Sequence, residues 1–536
     1  MPGLWFECTL ICHDILDVKA LWLNYIELFA GCGGLNLGLK SEGFKLTLAN
    51  ELSPMASETF AFNFFDEDLN RESKKTVWLS SNFSKHQMSK RLREDPRTYP
   101  ENFENSDIDI DDLEGKLVVG NIIHLNKFLE QNPKLVENLQ SAFGEDGGLD
   151  LVSGGPPCQS FSMAGLRQLD NDRNTLPWEF AHFVELTKPK FALLENVSGI
   201  LKAFETNGKK FFAWFEVAKV FAKIGYIPLS LHVNAKYAGV AQNRPRFLLL
   251  AIREDIFNQI STRLTSVEHL IFKKPLSLFK AIKEERDIDV SEYEYLDIEK
   301  DTNLFVDSFL QYFYIKRSDD FYSVSDAIGD FINEKNHDPQ FTQYLKKKFS
   351  GVLKNMPVTN HDLRSNGELV QRRFRIYQIM NELSSTAKKQ LKQALKGQVE
   401  TIEKHILLEI MQYEFLTTDG YKRFTDEAEF MQFISEHQTN KQTQKALKRN
   451  DPAPTALSIP DDACHYHPDH LRTLTVREMA RLQSFPDNFS FRSKTTTGGK
   501  MRQFEVPQYT QVGNAVPPIL GVAIARTLKH LKMKLD

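Results

Sequence analysis

Tyr25-Ile26-Glu27-Leu28-Phe29-Ala30-Gly31-Cys32-Gly33-Gly34-Leu35-Asn36-Leu37-Gly38-Leu39 is the stretch that sets the class of fold. An apolar, strand-like run passes into a loop rich in glycine, and Leu35 to Glu42 then suits a helix ended by Gly43. Leu46 to Asn50 reads as a second strand, with a helix through Met55 to Phe62 behind it. Further strands are read at Leu117-Val118-Val119-Gly120, at Leu149 to Val152, at Phe191 to Asn196 and at Arg246 to Ile252. Strands alternating with helices predict an α/β fold built on a mostly parallel, doubly wound, Rossmann-like sheet.

Within that fold the glycine loop reads as a cofactor cradle. Glycines between a strand and a helix let backbone N–H groups approach a ligand at the positive end of the helix. Glu51 follows at the end of the next strand, where a carboxylate can grip ribose hydroxyls. A dinucleotide fingerprint would need glycine where Asn36 stands. A nucleoside-bearing cofactor without a pyrophosphate, such as S-adenosylmethionine, fits better.

A second loop, Ser153-Gly154-Gly155-Pro156-Pro157-Cys158-Gln159-Ser160-Phe161-Ser162, follows the strand that ends at Val152. Two prolines stiffen it, and the glycines allow close approach to a ligand. Ligands bind beyond the carboxyl ends of strands in open α/β sheets, so Cys158 is a candidate nucleophile. The rival reading is a buried structural thiol.

Length and composition frame these motifs. The 536 residues, 41% hydrophobic, can bury a large core and form two or three domains. Cys8, Cys12, Cys32, Cys158 and Cys464 are too few and scattered for a disulfide framework, and Cys8 and Cys12 lack a second pair to make a zinc site. No apolar run reaches the roughly 18 residues that span a membrane. The N-terminus has no basic leader, and an intracellular, cytoplasmic location is expected. A net charge of −4 leaves room for basic residues gathered on one face. Such clusters occur at Lys346-Lys347-Lys348, Arg372-Arg373 and Lys445 to Arg449; each alone suits a solvated face, and together they suit phosphate contact.

The charged stretch 66–116, with its acidic run Asp107 to Asp112, reads as a solvated insertion loop. Residues 254–470 lack strand–helix alternation, although Leu391, Leu395, Val399, Ile402 and Ile406 follow helical spacing. Helical order returns at Thr475 to Gln483 and from Ile519 to Lys534. The expected division is a first part over 1–253, an inserted domain over 254–470, and a return over 471–536.

Further motifs are Glu195-Asn196-Val197, Gln242-Asn243-Arg244-Pro245-Arg246, Leu474 to Gln483, and Gln511-Val512-Gly513-Asn514-Ala515-Val516-Pro517. The two arginines stand two apart, on one face of a strand. In this order and spacing the motifs over 25–65, 117–253 and 472–536 resemble those of the DNA (cytosine-5)-methyltransferases of prokaryotic restriction–modification type. The resemblance implies that Cys158 attacks C6 of cytosine, that Glu195 hydrogen-bonds the N3 edge, and that Arg244 and Arg246 orient ring and nucleophile. It implies that Phe29, Ala30, Gly31, Gly33, Gly34, Glu51, Leu52, Asn121, Pro156, Leu176, Asn514 and Ala515 surround S-adenosyl-L-methionine. Two positions depart from the family: Asn121 stands where Asp is frequent, and Leu52 where an aromatic is frequent. Asp172-Arg173-Asn174-Thr175-Leu176 resembles a short helix-start motif beside the cofactor, and Phe161 to Arg173 reads as a mobile lid.

The resemblance makes 254–470 a target-recognition domain that reads base edges of duplex DNA, in a monomer working beside a companion restriction endonuclease. It places the action at the nucleoid. A transfer RNA methyltransferase on the same fold would carry a short recognition region and a Cys-Phe-Thr element, which this chain lacks. A non-catalytic DNA-binding protein would not need Cys158, Glu195 and Arg244 together.

Overall fold

The computed structural model describes residues 22–71, 73–157, 175–206, 209–317, 319–331, 340–439, 444–455 and 465–535. Cys158, the lid expected over Phe161 to Arg173, Cys8, Cys12 and Cys464 lie outside the described residues.

The strands of the main sheet are β1 (Asn24–Leu28), β2 (Lys45–Glu51), β3 (Thr76–Trp78), β4 (Lys116–Val119), β5 (Leu151–Gly154), β6 (Phe191–Val197), β7 (Tyr226–Asn234), β8 (Pro245–Arg253) and β9 (Leu296–Asp297). Their order across the sheet is β9-β7-β8-β6-β5-β1-β2-β4-β3. Strands β3, β4, β2, β1, β5 and β6 run parallel, and β8 is antiparallel to β6 and β7. All five residues of β1 are buried, as a central parallel strand covered on both faces requires. The order turns outward in both directions from the β1–β5 boundary, so the fold is the expected doubly wound α/β sheet. That boundary is the switch point where a ligand crevice opens.

Eight helices position the site: α1 (Gly34–Ser41), α2 (Pro54–Phe65), α3 (Ile122–Gln131), α4 (Leu176–Thr187), α5 (Ala213–Lys223), α6 (Val476–Leu482), α7 (Gln508–Asn514) and α8 (Pro518–Lys532). The last packs along the first. A Cβ on Gly38 would stand 2.6 Å from Gly521 Cα and from Pro518 O, so the two backbones touch. Gly38→Ala gains about 1 kcal/mol of helix propensity, but overpacking between two backbones costs about 1–3 kcal/mol. A lower melting temperature is therefore expected by calorimetry; an unchanged or higher one would contradict the contact.

Three expectations are corrected. The stretch 66–116 is not wholly a solvated loop. It supplies β3, whose Trp78 is fully buried, and Arg91 is buried in an ion pair with Asp107 of the acidic run. Arg91 also donates to Phe83 O at 2.9 Å and Asn105 O at 2.7 Å, so the charges solvate one another inside the segment. The single helix spaced by Leu391 to Ile406 is two helices, Ser385–Leu395 and Lys404–Ile410, with Gly397 at φ +66° between them.

The third concerns the core. One hydrophobic cluster takes in the sheet, the helices Glu254–Ser261 and Ser266–Lys283, and residues through Leu353. A second spans Phe374 to Tyr466. The expected boundary at residue 254 falls inside the first cluster, because Ile256, Phe257, Ile271 and Phe272 pack onto the sheet.

Candidate active site

The chain leaves β1 through a strained loop. Phe29 has φ 53°, Gly31 φ 56° and Gly33 φ 90°, left-handed conformations that only glycine adopts freely. Ala30 N–H donates to Asn50 O at 3.0 Å and Gly33 N–H to Ala30 O at 2.9 Å, which fixes the loop against β2. A Cβ on Gly34 would meet Val516 O at 2.2 Å, whereas one on Gly31 would meet only Phe29 O, at 4.0 Å. Space is therefore open over Gly31 and closed behind Gly34.

Glu51 stands at the end of β2 and answers that loop. Its carboxylate accepts from Gly31 N–H at 2.8 Å and from Ser53 N–H at 2.7 Å. Burial pushes its carboxyl above the usual range, while the N–H groups of Ser53, Gly31 and Leu52 oppose the rise. The neighbouring Leu52 is 37% exposed, a large apolar side chain left facing outward at the cradle. Asn121 Oδ1 accepts from Ile123 N–H at 3.0 Å and caps α3, so its acceptor already serves the helix. Leu176 opens α4, and Asn514 closes α7 with its side chain exposed. Burial pushes the Cys32 thiol up, which leaves it an inert packing group beneath the cradle.

Beside the cradle, β5 and β6 end in a second group. Glu195 is buried, and Arg246 Nε lies 2.6 Å from its Oε1 in a close ion pair. A Cβ on Gly155 would come within 3.0 Å of Glu195 Oε2, so glycine there lets the Pro-Pro loop pass the carboxylate. Asn196 Nδ2 donates to Pro156 O at 3.0 Å and pins that loop one strand away. Burial lowers the Arg246 guanidinium, and Glu195 counters it.

Arg244 goes elsewhere. Its Nη2 donates to Gly513 O at 2.8 Å and Ala515 O at 2.9 Å, tying the loop before β8 to the carboxyl end of α7. Its Nε and Nη1 are buried without partners among the described residues, and burial together with the charge of Arg246 holds it well below the usual guanidinium range. The arginine pair is thus divided, with one charge on Glu195 and the other on the C-terminal motif.

The family model for C-5 cytosine-specific DNA methylases matches residues 23–88 and 98–530. The chain belongs to that family. The type II methyltransferase M.DdeI of Desulfomicrobium norvegicum is 24% identical over 94% of this chain and 88% of its own length. M.Bpa9945I of Bacillus paralicheniformis is 26% identical over 94% of this chain and 98% of its own. A crystal structure of a prophage-encoded DNA modification methyltransferase of E. coli covers 95% of this chain at 20% identity with a TM-score of 0.43.

Two amides brace these groups, Asn234 outside the quoted motifs and Gln511 at the start of one. Asn234, at the end of β7, accepts from Arg244 N–H at 3.0 Å and donates to Asn243 Oδ1 at 2.7 Å. Gln511 accepts from Thr59 Oγ1 at 2.6 Å and donates to Val506 O at 3.0 Å and Met55 O at 3.2 Å, bolting α7 to α2. Gln511 opens a quoted motif, whereas Asn234 stands well before the Gln242 to Arg246 motif and meets it only in the fold.

The basic clusters of the methylase are mostly spent inside the chain. Lys348 pairs with Glu42 at the end of α1, at the edge of the sheet away from the strand carboxyl ends. Arg372 donates to His437 Nε2 at 3.2 Å, and Arg373 to the carbonyls of His437 and Gln438, at the end of the helix Glu427–Glu436. Arg449 pairs with Asp469. Among the described residues no His, Cys, Asp and Glu are grouped to hold a metal, and no helix is long and apolar enough to cross a membrane.

Proposed function

We propose that the methylase transfers a methyl group from S-adenosyl-L-methionine to C5 of a cytosine turned out of duplex DNA, as the modification arm of a type II restriction–modification system. The observation that carries this reading is the adjacency of two groups on one edge of the sheet. The cradle of Gly31 and Glu51 ends β1 and β2, and the Glu195–Arg246 pair flanks the Pro156-Pro157 loop at the ends of β5 and β6. Pro157 leads directly to Cys158. The names of M.DdeI and M.Bpa9945I support the type II assignment.

The residues present suit the cofactor. Open space over Gly31, a carboxylate at ribose height and an exposed Leu52 match a nucleoside lying across β1 and β2. When bound, S-adenosylmethionine supplies an electrophilic methyl group. On this reading, which the family resemblance supports, Phe29, Ala30, Gly33, Gly34, Pro156, Leu176, Asn514 and Ala515 complete the cofactor site, and Asn121 offers its amide N–H groups.

C5 of cytosine is a weak nucleophile. Addition of the Cys158 thiolate to C6 places electron density on C5, which can then take the methyl group. Loss of the C5 proton returns the pair of electrons and expels the thiolate. Glu195 hydrogen-bonds the N3 edge as charge develops, and the buried cations of Arg244 and Arg246 favour the thiolate over the thiol. A stacked base is out of reach, so the cytosine leaves the helix at a cost of a few kcal/mol.

DNA carrying 5-fluorocytosine at the target tests the reading. Fluorine cannot leave as a proton, so a covalent protein–DNA adduct at Cys158 should accumulate when cofactor is added. Its absence would sink the proposal.

Glu51→Ala is expected to weaken cofactor binding about ten- to a hundredfold, since hydrogen bonds to a charged group contribute about 1.5–3 kcal/mol. DNA affinity should change little. Calorimetric titration with each ligand reads the difference, and a larger loss for DNA would contradict the assignment.

A further inference from the structure

The segment that follows β3 carries cations left without a charge partner. Lys85, Lys90 and Arg93 are exposed, and none forms an ion pair among the described residues. Lys90 lies over the Phe83 ring at 5.5 Å. Lys90 and Arg93 border an open cavity of about 540 Å³ together with Asn82, Thr98 and two acids, Glu94 and Asp95.

The nearby acids have partners of their own. Glu94 is buried and accepts from Ser81 Oγ at 2.5 Å, Asn82 N–H at 2.8 Å and Asn82 Nδ2 at 2.7 Å. Asp95 is paired with Arg97 at 2.6 Å, and Glu101 with Lys127 at 3.1 Å. The acids are bound inward or to other cations, and the three free cations face solvent.

Their position gives the surface a partner. β3 is parallel to β4, so residues after Trp78 emerge on the same edge as Glu51, Gly155 and Glu195. Arg97 donates to Gln503 at 3.0 Å and lies over Phe504 at 5.2 Å, which joins the segment to the approach to α7. Four strand spacings separate β5 from β3 in the sheet order, about 19 Å at 4.8 Å each. At about 3.4 Å per base pair, that distance is about six base pairs of duplex.

We propose that Lys85, Lys90 and Arg93 hold the phosphate backbone of flanking DNA about six base pairs to one side of the target cytosine. The inference rests on the reading that duplex DNA crosses the strand ends with its target at β5 and β6. The insertion thereby lengthens the footprint without reading sequence, since phosphate contacts position and do not specify.

The test uses two duplexes built on the site that sequencing of modified DNA identifies, one with short flanks of about three base pairs and one extending about twelve on both sides. The native chain should bind the long duplex more tightly, with a steeper dependence on salt. In the variant Lys85→Ala/Lys90→Ala/Arg93→Ala that advantage should vanish, and the salt slope should fall by about 2–3 units. Methyl transfer to the short duplex should keep its kcat. A native chain indifferent to flank length, or a variant with an unchanged slope, would overturn the proposal alone. Failure of the native chain to methylate either duplex would overturn it together with the reading beneath it.

Discussion

Replacing Cys158 with serine is expected to abolish methyl transfer while cofactor affinity stays within about twofold of the native value, because losing a nucleophile removes transition-state stabilisation without touching ground-state binding. A thiol loses its proton near pH 8.5 and becomes a strong nucleophile, whereas a serine hydroxyl needs a general base to act at all. Glu195 is an acid–base group beside the Pro-Pro loop, and its Oε1 is already engaged by Arg246 at 2.6 Å. No second base stands ready among the described groups at the ends of β5 and β6. The loss should be about 10³-fold or more, measured as methyl incorporation into DNA. Cofactor binding should survive, since Gly31, Glu51 and Ser53 hold their own network one strand away. A serine variant that turns over at even a tenth of the native rate would refute the covalent step.

Glu195→Gln is expected to lower kcat by about 10²–10⁴, the span over which positioned proton donors and acceptors contribute. Glutamine keeps the volume against Gly155 and can still face Arg246, so the fold should persist. What it removes is a charge that answers the arginine and a carboxyl that can carry a proton to the base. Glu195→Ala goes further. Both variants leave Arg246 buried with no counter-charge, and alanine removes its neutral acceptor and the packing as well; deleting one partner of a buried pair costs about 3–5 kcal/mol. Thermal melting of both variants separates the effects. Glutamine should melt below the native temperature and alanine lower still; a glutamine variant of normal kcat would remove Glu195 from the chemistry.

The cradle was legible because its logic is local. A glycine loop after a strand, and an acid after the next strand, are read in chain order, and Gly31 and Glu51 do meet. The strands β1, β2, β4, β5, β6 and β8 were legible as apolar runs for the same reason. β7 was passed over although all but one of its residues are buried, because Ser230, His232 and Asn234 interrupt its apolar pattern. The failures share a cause. Arg91 with Asp107, Lys348 with Glu42 and Arg372 with His437 are pairings between distant or adjacent elements. A charge that finds a partner in three dimensions looks, in one dimension, the same as a charge facing water. For this reason the basic runs suggested a DNA surface although Lys348, Arg372, Arg373 and Arg449 were found bound up, whereas Lys85, Lys90 and Arg93 were passed over inside a stretch read as solvated. The division of Arg244 from Arg246 was hidden likewise, since two residues on one strand face gave no hint that Gly513 and Ala515 would claim one of them.

The seating of Gly34 against Val516 and of Gly38 against Gly521 has a bearing on synthesis. The rear wall of the first glycine loop is made from residues that leave the ribosome long after it. A nascent polypeptide can complete the early strands, yet its pocket lacks a back until α8 arrives. Chains cut short before Val516 lack the back of that loop and are expected to transfer no methyl group.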